Sequence, residues 1–314
     1  MTTLFVFVDG VGAGSRDPDR NPLARGEFLL SRFEDGSGAP LPGGGCAGLA
    51  DATLGVPGRP QSATGQSAIL TGENAPALLG RHLLGFPNAP LRDLLRQRSL
   101  FRTLAEGGRT AAFANAYPVA YLRALGLDAE GEPEFELGSR RARASATTVA
   151  YAAGGGHFRT WPDARAGRAL THDITGNRAR AFGADLPVRA PEEAAGILLT
   201  LARDHDLTVF EFFETDEAGH ARSMERALDA LGRLDALLRA LVAGLEPGGA
   251  LVIASDHGNL EDLSTRNHTR APVPILGFGR AAPEVPAVTD LTRLAPLLLR
   301  LASTRGLQPP APGR

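Results

Sequence analysis

Lysine is absent from this chain. All 33 basic residues among its 314 are arginine, so every fixed cation it can offer a substrate is a guanidinium or a bound metal. Cysteine occurs once, at Cys46, which excludes an intrachain disulfide and any cysteine-rich zinc module and fits a reducing compartment. Long hydrophobic runs are missing too. The N-terminal LFVFV stops at Asp9-Gly10, far short of a bilayer, and no basic segment precedes it. Neither sign of charge dominates: 33 basic against 35 acidic residues give a net charge of −2, too little for a global attraction to nucleic acid or an anionic membrane. The expectation is a cytoplasmic protein that binds neither and meets its partner at a local site. Oligomeric state has no signature in the sequence.

What is present reads as α/β. Strands are predicted at residues 4–8, 110–114, 207–212, 251–254 and 272–279, because each is a short apolar run closed by turn residues. Helical spacing appears between them. Residues 91–106 carry apolar residues at three- and four-residue intervals and stop at Gly107-Gly108. Pro191 suits the first turn of a helix to about Asp204. Met224, Leu228, Leu231, Leu234, Leu238, Leu241 and Leu245 mark a core-facing helix. A final helix is predicted from near Pro296. Helices alternating with strands imply a mostly parallel central sheet covered on both faces. Residues 15–60, rich in Gly, Pro and Arg, read as a surface connection with a short helix near Phe28–Phe33. Residues 119–189 lose the pattern and become Arg-rich, so they are expected to form a small inserted cap on a core of 1–118 and 190–314. Its Arg140, Arg141, Arg143, Arg159 and Arg178 are candidates to meet an anion.

Four separated blocks place metal-binding or nucleophilic residue types at predicted strand ends or a helix start. The first strand ends at Asp9. PQSATGQSAILTGEN passes from small polar into apolar residues, as a loop entering a helix does, and puts Ser62 at the helix start, where unpaired amides favour an anion. ETDEAGH follows the 207–212 strand and spaces Asp216 and His220 four apart, one helical turn. LVIASDHGNLEDLSTRNHT brings Asp256 and His257 to the mouth of another strand, with His268 on the loop beyond. Singly, each is as compatible with an ordinary turn cap or a surface histidine as with a ligand. Together, carboxylate and imidazole in this number suit a pair of divalent ions, which flank the attacking and leaving oxygens of an in-line phosphoryl transfer.

In that order FVDGVG, SATGQ, TDEAGH, SDHGN and NHTRAPVP resemble the alkaline phosphatase superfamily, and within it the branch of cofactor-independent phosphoglycerate mutases and phosphopentomutases, over residues 1–118 and 190–314. The resemblance implies an alkaline-phosphatase-like three-layer core, with Ser62 as the nucleophile that takes the phosphoryl group and Thr64 and Ser67 beside it. It implies one metal held by Asp9, Asp256, His257 and the Ser62 oxygen, and a second held by Asp216, His220 and His268. Manganese or zinc is expected, magnesium less so, since imidazole serves both ions. Asn115, Arg81, His82 and Arg178 are the candidate substrate contacts.

The chain departs from the mutase pattern in three places: it has a much smaller insert, no lysine, and Gln66 where the mutase nucleophile motif has histidine. Neither Cys46 nor Ser62 sits in a sulfatase motif. A small cap is less able to hold an intermediate away from water, so the expectation leans to a phosphatase acting on a small phosphorylated metabolite through a phosphoserine. A phosphomutase of a sugar phosphate or phosphoglycerate is the alternative, and a non-catalytic metal-binding protein the second.

Overall fold

The computed structural model describes residues 2–130, 132–134 and 142–303. Arg140, Arg141 and the Pro-rich tail after Gly306 lie outside the described residues. The chain opens with β1 (Thr3–Val8) and β2 (Cys46–Ala50), then α1 (Ser62–Thr71), α2 (Ala75–Leu79), α3 (Ala89–Arg98) and α4 (Leu100–Glu106). Strands β3 (Ala111–Phe113) and β4 (Ala116–Tyr117) lead to α5 (Val119–Ala124), α6 (Ala146–Ala153), β5 (Arg159–Thr160), α7 (Trp161–Arg165) and α8 (Asn177–Ala181). The last third runs α9 (Pro191–Asp204), β6 (Leu207–Phe212), α10 (Glu214–Ala221), α11 (Met224–Ala243), β7 (Ala250–Ser255), β8 (Val273–Gly279) and α12 (Leu294–Ser303).

Six strands form the central sheet in the order β2-β8-β7-β1-β6-β3. Strands β7, β1, β6 and β3 are parallel, while β8 and β2 complete one edge antiparallel. β1 is buried at every position, as a central strand covered on both faces must be. Its side chains alternate between two cores. Phe5 and Phe7 join Ile69, Leu91, Phe101 and Leu298 under α1, α3, α4 and α12. Leu4, Val6 and Val8 join Leu198, Leu231, Leu234 and Leu238 under α9 and α11. This is a three-layer α/β sandwich with a mostly parallel sheet. The register matters most at the strand ends: Val8 pairs with Phe212 on one side and Ser255 on the other, so β6, β1 and β7 finish level and hand their next residues to one edge.

Three local expectations need correction. The predicted helix over 91–106 is two helices, because Ser99 is extended and its side chain accepts the Arg102 amide, ending α3 and capping α4 at once. The short helix near Phe28–Phe33 is instead a 3-10 turn at Pro22–Arg25, which Asn21 caps and Pro22 starts. The connection over 15–60 also contains β2. CAGLA has no β-branched residue and an interior Gly48, so nothing in its composition announces a strand, and its place is fixed by pairing with β8.

Residues 119–189 hold α5, α6, α7, α8 and the second strand of a two-stranded β4–β5 sheet. Ala146, Ala150 and Tyr151 of α6 are buried in the core shared with α3 and α4. Trp161, Ala164, Ala169, Ala179 and Leu186 form a small separate cluster with Ala116. No helix among the described residues is long and apolar enough to cross a membrane.

Candidate active site

At the shared edge the structure gathers all seven residues expected to bind metal. Asp9 follows β1, and Asp256 and His257 follow β7, so these three come directly off neighbouring strands. Asp9, Asp256 and His257 offer ligand atoms within 4.8 Å of one another, and all three are buried. Ser62 is the first residue of α1, and its Oγ lies 3.0 Å from His257 Nε2. The same nitrogen is 3.2 Å from Asp9 Oδ1 and 3.5 Å from Asp256 Oδ2. Asp216, His220 and His268 form a second group, also within 4.8 Å. Asp216 and His220 share one face of α10, with His220 Nε2 3.2 Å from Asp216 Oδ2. His268 Nε2 reaches to 3.6 Å from Asp216 Oδ1 and 3.2 Å from His220 Nε2. The imidazoles of His257 and His268 stack with centroids 3.7 Å apart, which makes the two groups neighbours.

Backbone and outer contacts aim these ligands. The Thr215 hydroxyl donates to the Asp9 carbonyl at 2.5 Å. Asn259 Nδ2 donates to Asp216 Oδ1 at 2.6 Å. His268 Nδ1 donates to the Pro60 carbonyl at 3.0 Å and His220 Nδ1 to the Arg266 carbonyl at 2.8 Å. Each Nε2 is thereby left with its lone pair directed into the cluster, the tautomer a metal ligand needs. Glu261, buried behind them, accepts the amides of Gly12 and Asn259 at 2.9 and 2.8 Å and ties the loop after β7 to the loop after β1. Two glycines of the motifs are required by space. A Cβ on Gly10, where φ is +73°, would stand 2.7 Å from Asp216 Cβ, and one on Gly65 would stand 2.9 Å from the Asp256 carbonyl oxygen. Gly65 thus lets α1 bring Ser62 against Asp256 and His257.

The donor set fits divalent cations. Asp9 Oδ1 and Asp256 Oδ2 are buried with no hydrogen-bond donor, a costly state for carboxylates unless a cation faces them. Burial and then the charge of Asp216 push Asp9 up, and burial and then Asp9 push Asp256 well above the carboxylate range. Burial pulls the His257 imidazole down, but Asp256, Asp9 and Asp216 outweigh it and raise it to about 10. Burial and the nearby His257 lower His268 to about 4. Burial raises Asp216, but its hydrogen bond to His220 and the neighbouring imidazoles bring it to about 2.

Beside the clusters lies a cavity of about 540 Å³ with Asp9, Ser62, Gln66 and Glu211 at its polar end. Glu211 was not singled out by the sequence, because one acid in LTVFEF reads as an ordinary strand residue. It is buried at the end of β6, where burial and the charge of Asp9 push it up to about 8 against a hydrogen bond from Thr147. Arg178 lines the cavity. Asn115 lies one layer back: its side chain donates to the Glu211 carbonyl and accepts the Glu211 amide, both at 2.8 Å, and its Nδ2 is 2.9 Å from His172 Nδ1. Arg81 and His82 are not among the lining residues, and His82 Nε2 faces the Val56 carbonyl at 3.2 Å. Thr64 and Ser67 turn into α1, bonding the carbonyls of Gln61 and Ala63. Asn259 and Glu261 carry no signal in the sequence, since their role appears only when two loops meet.

Residues 187–304 match the family model of the metalloenzyme superfamily, and five of the seven gathered residues fall inside that match: Asp216, His220, Asp256, His257 and His268. The chain is 34% identical over 122 residues to 2,3-bisphosphoglycerate-independent phosphoglycerate mutase of Agrobacterium fabrum, covering 36% of this chain and 24% of that one. It is 46% identical over 67 residues to phosphopentomutase of Methylobacterium nodulans, covering 21% of this chain and 16% of that one. The chain thus matches about a quarter or less of the length of these curated relatives. The crystal structure of Thermus thermophilus alkaline phosphatase shares the fold, with a TM-score of 0.52 at 15% identity over 96% of this chain and 91% of that one.

Proposed function

We propose that this chain is a metalloenzyme of that superfamily and transfers phosphoryl groups from a small phosphorylated substrate to Ser62, and from Ser62 to water. The observation that carries the reading is the position of Ser62 Oγ, 3.0 Å from His257 Nε2 at the edge of a two-cluster ligand set and open to the cavity. Asp9, Asp256, His257 and the Ser62 oxygen would hold one divalent ion, and Asp216, His220 and His268 the other, with manganese or zinc suited to the mixed donors. When bound, such ions supply positive charge at the attacking and leaving oxygens and favour the serine alkoxide. Ser62 gives up its proton and forms the new O–P bond as the ester P–O bond breaks, and the departing alcohol ends with that proton. Water then opens the phosphoserine, giving inorganic phosphate and restoring the hydroxyl. Gln61 places no side-chain cap on α1, so the first-turn amides remain for the equatorial oxygens, the charge on which phosphoryl-transfer catalysis chiefly acts. The lone Cys46, free of any disulfide, accords with a cytoplasmic setting.

A phosphomutase is the second reading, and the sequence similarity to two phosphomutases favours it. Phosphorus NMR of the manganese-loaded protein, run with sugar phosphates and phosphoglycerates beside Ser62→Ala, separates the two. Inorganic phosphate produced only by the intact serine is the expected result, and migration of phosphate within one substrate would make the protein a mutase. Turnover that survives Ser62→Ala would remove Ser62 from the mechanism.

A further inference from the structure

Away from its polar end the cavity changes character. Tyr117 and Tyr121, at and after β4, stack with centroids 5.4 Å apart and planes 16° from parallel. Their hydroxyls are engaged by protein, Tyr121 by the Arg143 carbonyl at 2.8 Å and Tyr117 by Thr148 at 3.5 Å. The wall continues edge-on from Tyr117 to His172, 5.2 Å apart, and at a 43° tilt from His172 to Phe213, 4.6 Å apart. Phe86, 40% exposed on the loop between α2 and α3, also lines the cavity, and the Arg143 guanidinium lies 4.4 Å over its ring. Pro118, His172, Arg178 and Phe213 line a second cavity of about 350 Å³ as well, with Trp161 and Phe182 in its walls.

Among the described residues lining the larger cavity, Arg178 is the one permanent cation, and it is engaged by Glu217 at 2.7 Å and Glu214 at 4.0 Å. A carboxylate on the substrate would meet Asp9 at the polar end, while of the described guanidiniums there Arg178 is paired with Glu217 and Arg143 is stacked on Phe86. A small polyhydroxylated sugar would face ring surfaces that return few hydrogen bonds, leaving its hydroxyls without partners. A flat π-system instead gains both apolar burial and ring-on-ring contact along the wall.

We infer that the alcohol part of the substrate bears a flat aromatic ring, a nucleoside or a similarly planar group, seated along Tyr121, Tyr117, His172, Phe213 and Phe86 while its phosphate reaches Ser62. This rests on the proposed phosphoryl-transfer reading for its orientation but not for its test. The pair of probes is a nucleoside 5′-monophosphate, such as AMP, and ribose 5-phosphate, which present the same primary phosphate with and without a ring system. Calorimetric titration of the manganese-loaded protein is expected to show AMP binding about tenfold or more tighter than ribose 5-phosphate. Phe86→Ala, at a half-exposed loop position, and separately Tyr121→Leu are expected to shrink that ratio, each checked for folding by its melting temperature. Equal binding of the two probes, or a ratio unchanged in both variants, would overturn the inference whatever the enzyme does. Turnover measured in parallel, with p-nitrophenyl phosphate as a generic ester, reports on the underlying reading separately. Hydrolysis of all three esters without the binding preference sinks only the aromatic inference, and binding preference without any hydrolysis sinks only the phosphoryl-transfer reading.

Discussion

The two ligand clusters use the same residue types and differ in depth. Asp256 and His257 have no exposed side-chain surface and Asp9 11%, whereas in the other group His268 is 2%, Asp216 15% and His220 42% exposed. The buried cluster takes all its carboxylates and its imidazole from positions directly after β1 and β7, where sheet pairing fixes the backbone. The shallower one draws on a single turn of α10 and a loop residue, His268, and depends on Asn259 and two backbone carbonyls for aim. A deep site of rigid acids has no solvent to replace a lost ligand, while a shallow one can take water in its place. The serine sits on the deep side. If each group holds an ion as proposed, depth more than residue type would set which ion is retained beside the nucleophile and which exchanges.

Breaking each cluster in turn gives the largest expected difference. Asp256→Asn should lower phosphoryl transfer by about 10³-fold, the scale on which removal of one preorganised electrostatic group acts, and excess manganese should not restore it. His220→Ala should cost about 10- to 100-fold, as for weakened metal affinity, and be largely recovered at millimolar manganese. Rate measurements across a manganese series decide this, and equal, equally rescued losses would erase the distinction between the clusters.

A smaller effect sharpens the comparison from the deep side. Glu211 neighbours Asp9, and with its pKa raised from the ordinary 4.5 to about 8 the folded chain holds a proton that the unfolded chain has released. Its contribution to stability therefore falls as pH rises from about 4.5 through about 8. In chelator-treated protein Glu211→Gln should flatten that decline, melting roughly 5 °C above the wild type at pH 8 and close to it at pH 4.5. Parallel melting curves for the two proteins across that window would show that Glu211 is not held neutral by its surroundings.

How much of this was legible depended on whether a feature was local. Strands β1, β6 and β7 were readable because fully buried strands are continuous apolar runs, and once they were placed, Asp9, Asp256 and His257 had to emerge near one edge. The spacing of Asp216 and His220 was legible as one that a helical turn would bring together, and α10 supplies that turn. β2 was hidden because its strand state is conferred by β8 and not by its own residues. Glu211 was hidden because strand position outweighs a single acid in pattern reading, and Asn259 and Glu261 because hydrogen bonds between loops have no sequence period. The aromatic wall was hidden for the same reason: Phe86, Tyr117, Tyr121, His172 and Phe213 are scattered through the chain and meet only after folding. Arg178 reached the cavity, but its ion pair with Glu217 was not readable from either residue alone.

Metal content tests the central claim most directly. After equilibration with manganese and removal of free ion, native mass spectrometry should find two ions on the wild-type chain, and one each on Asp256→Asn and His220→Ala, with the ion retained by Asp256→Asn the more easily lost on dilution. A wild-type chain that holds fewer than two ions, or variants that keep the wild-type count, would contradict the account of two clusters serving one serine.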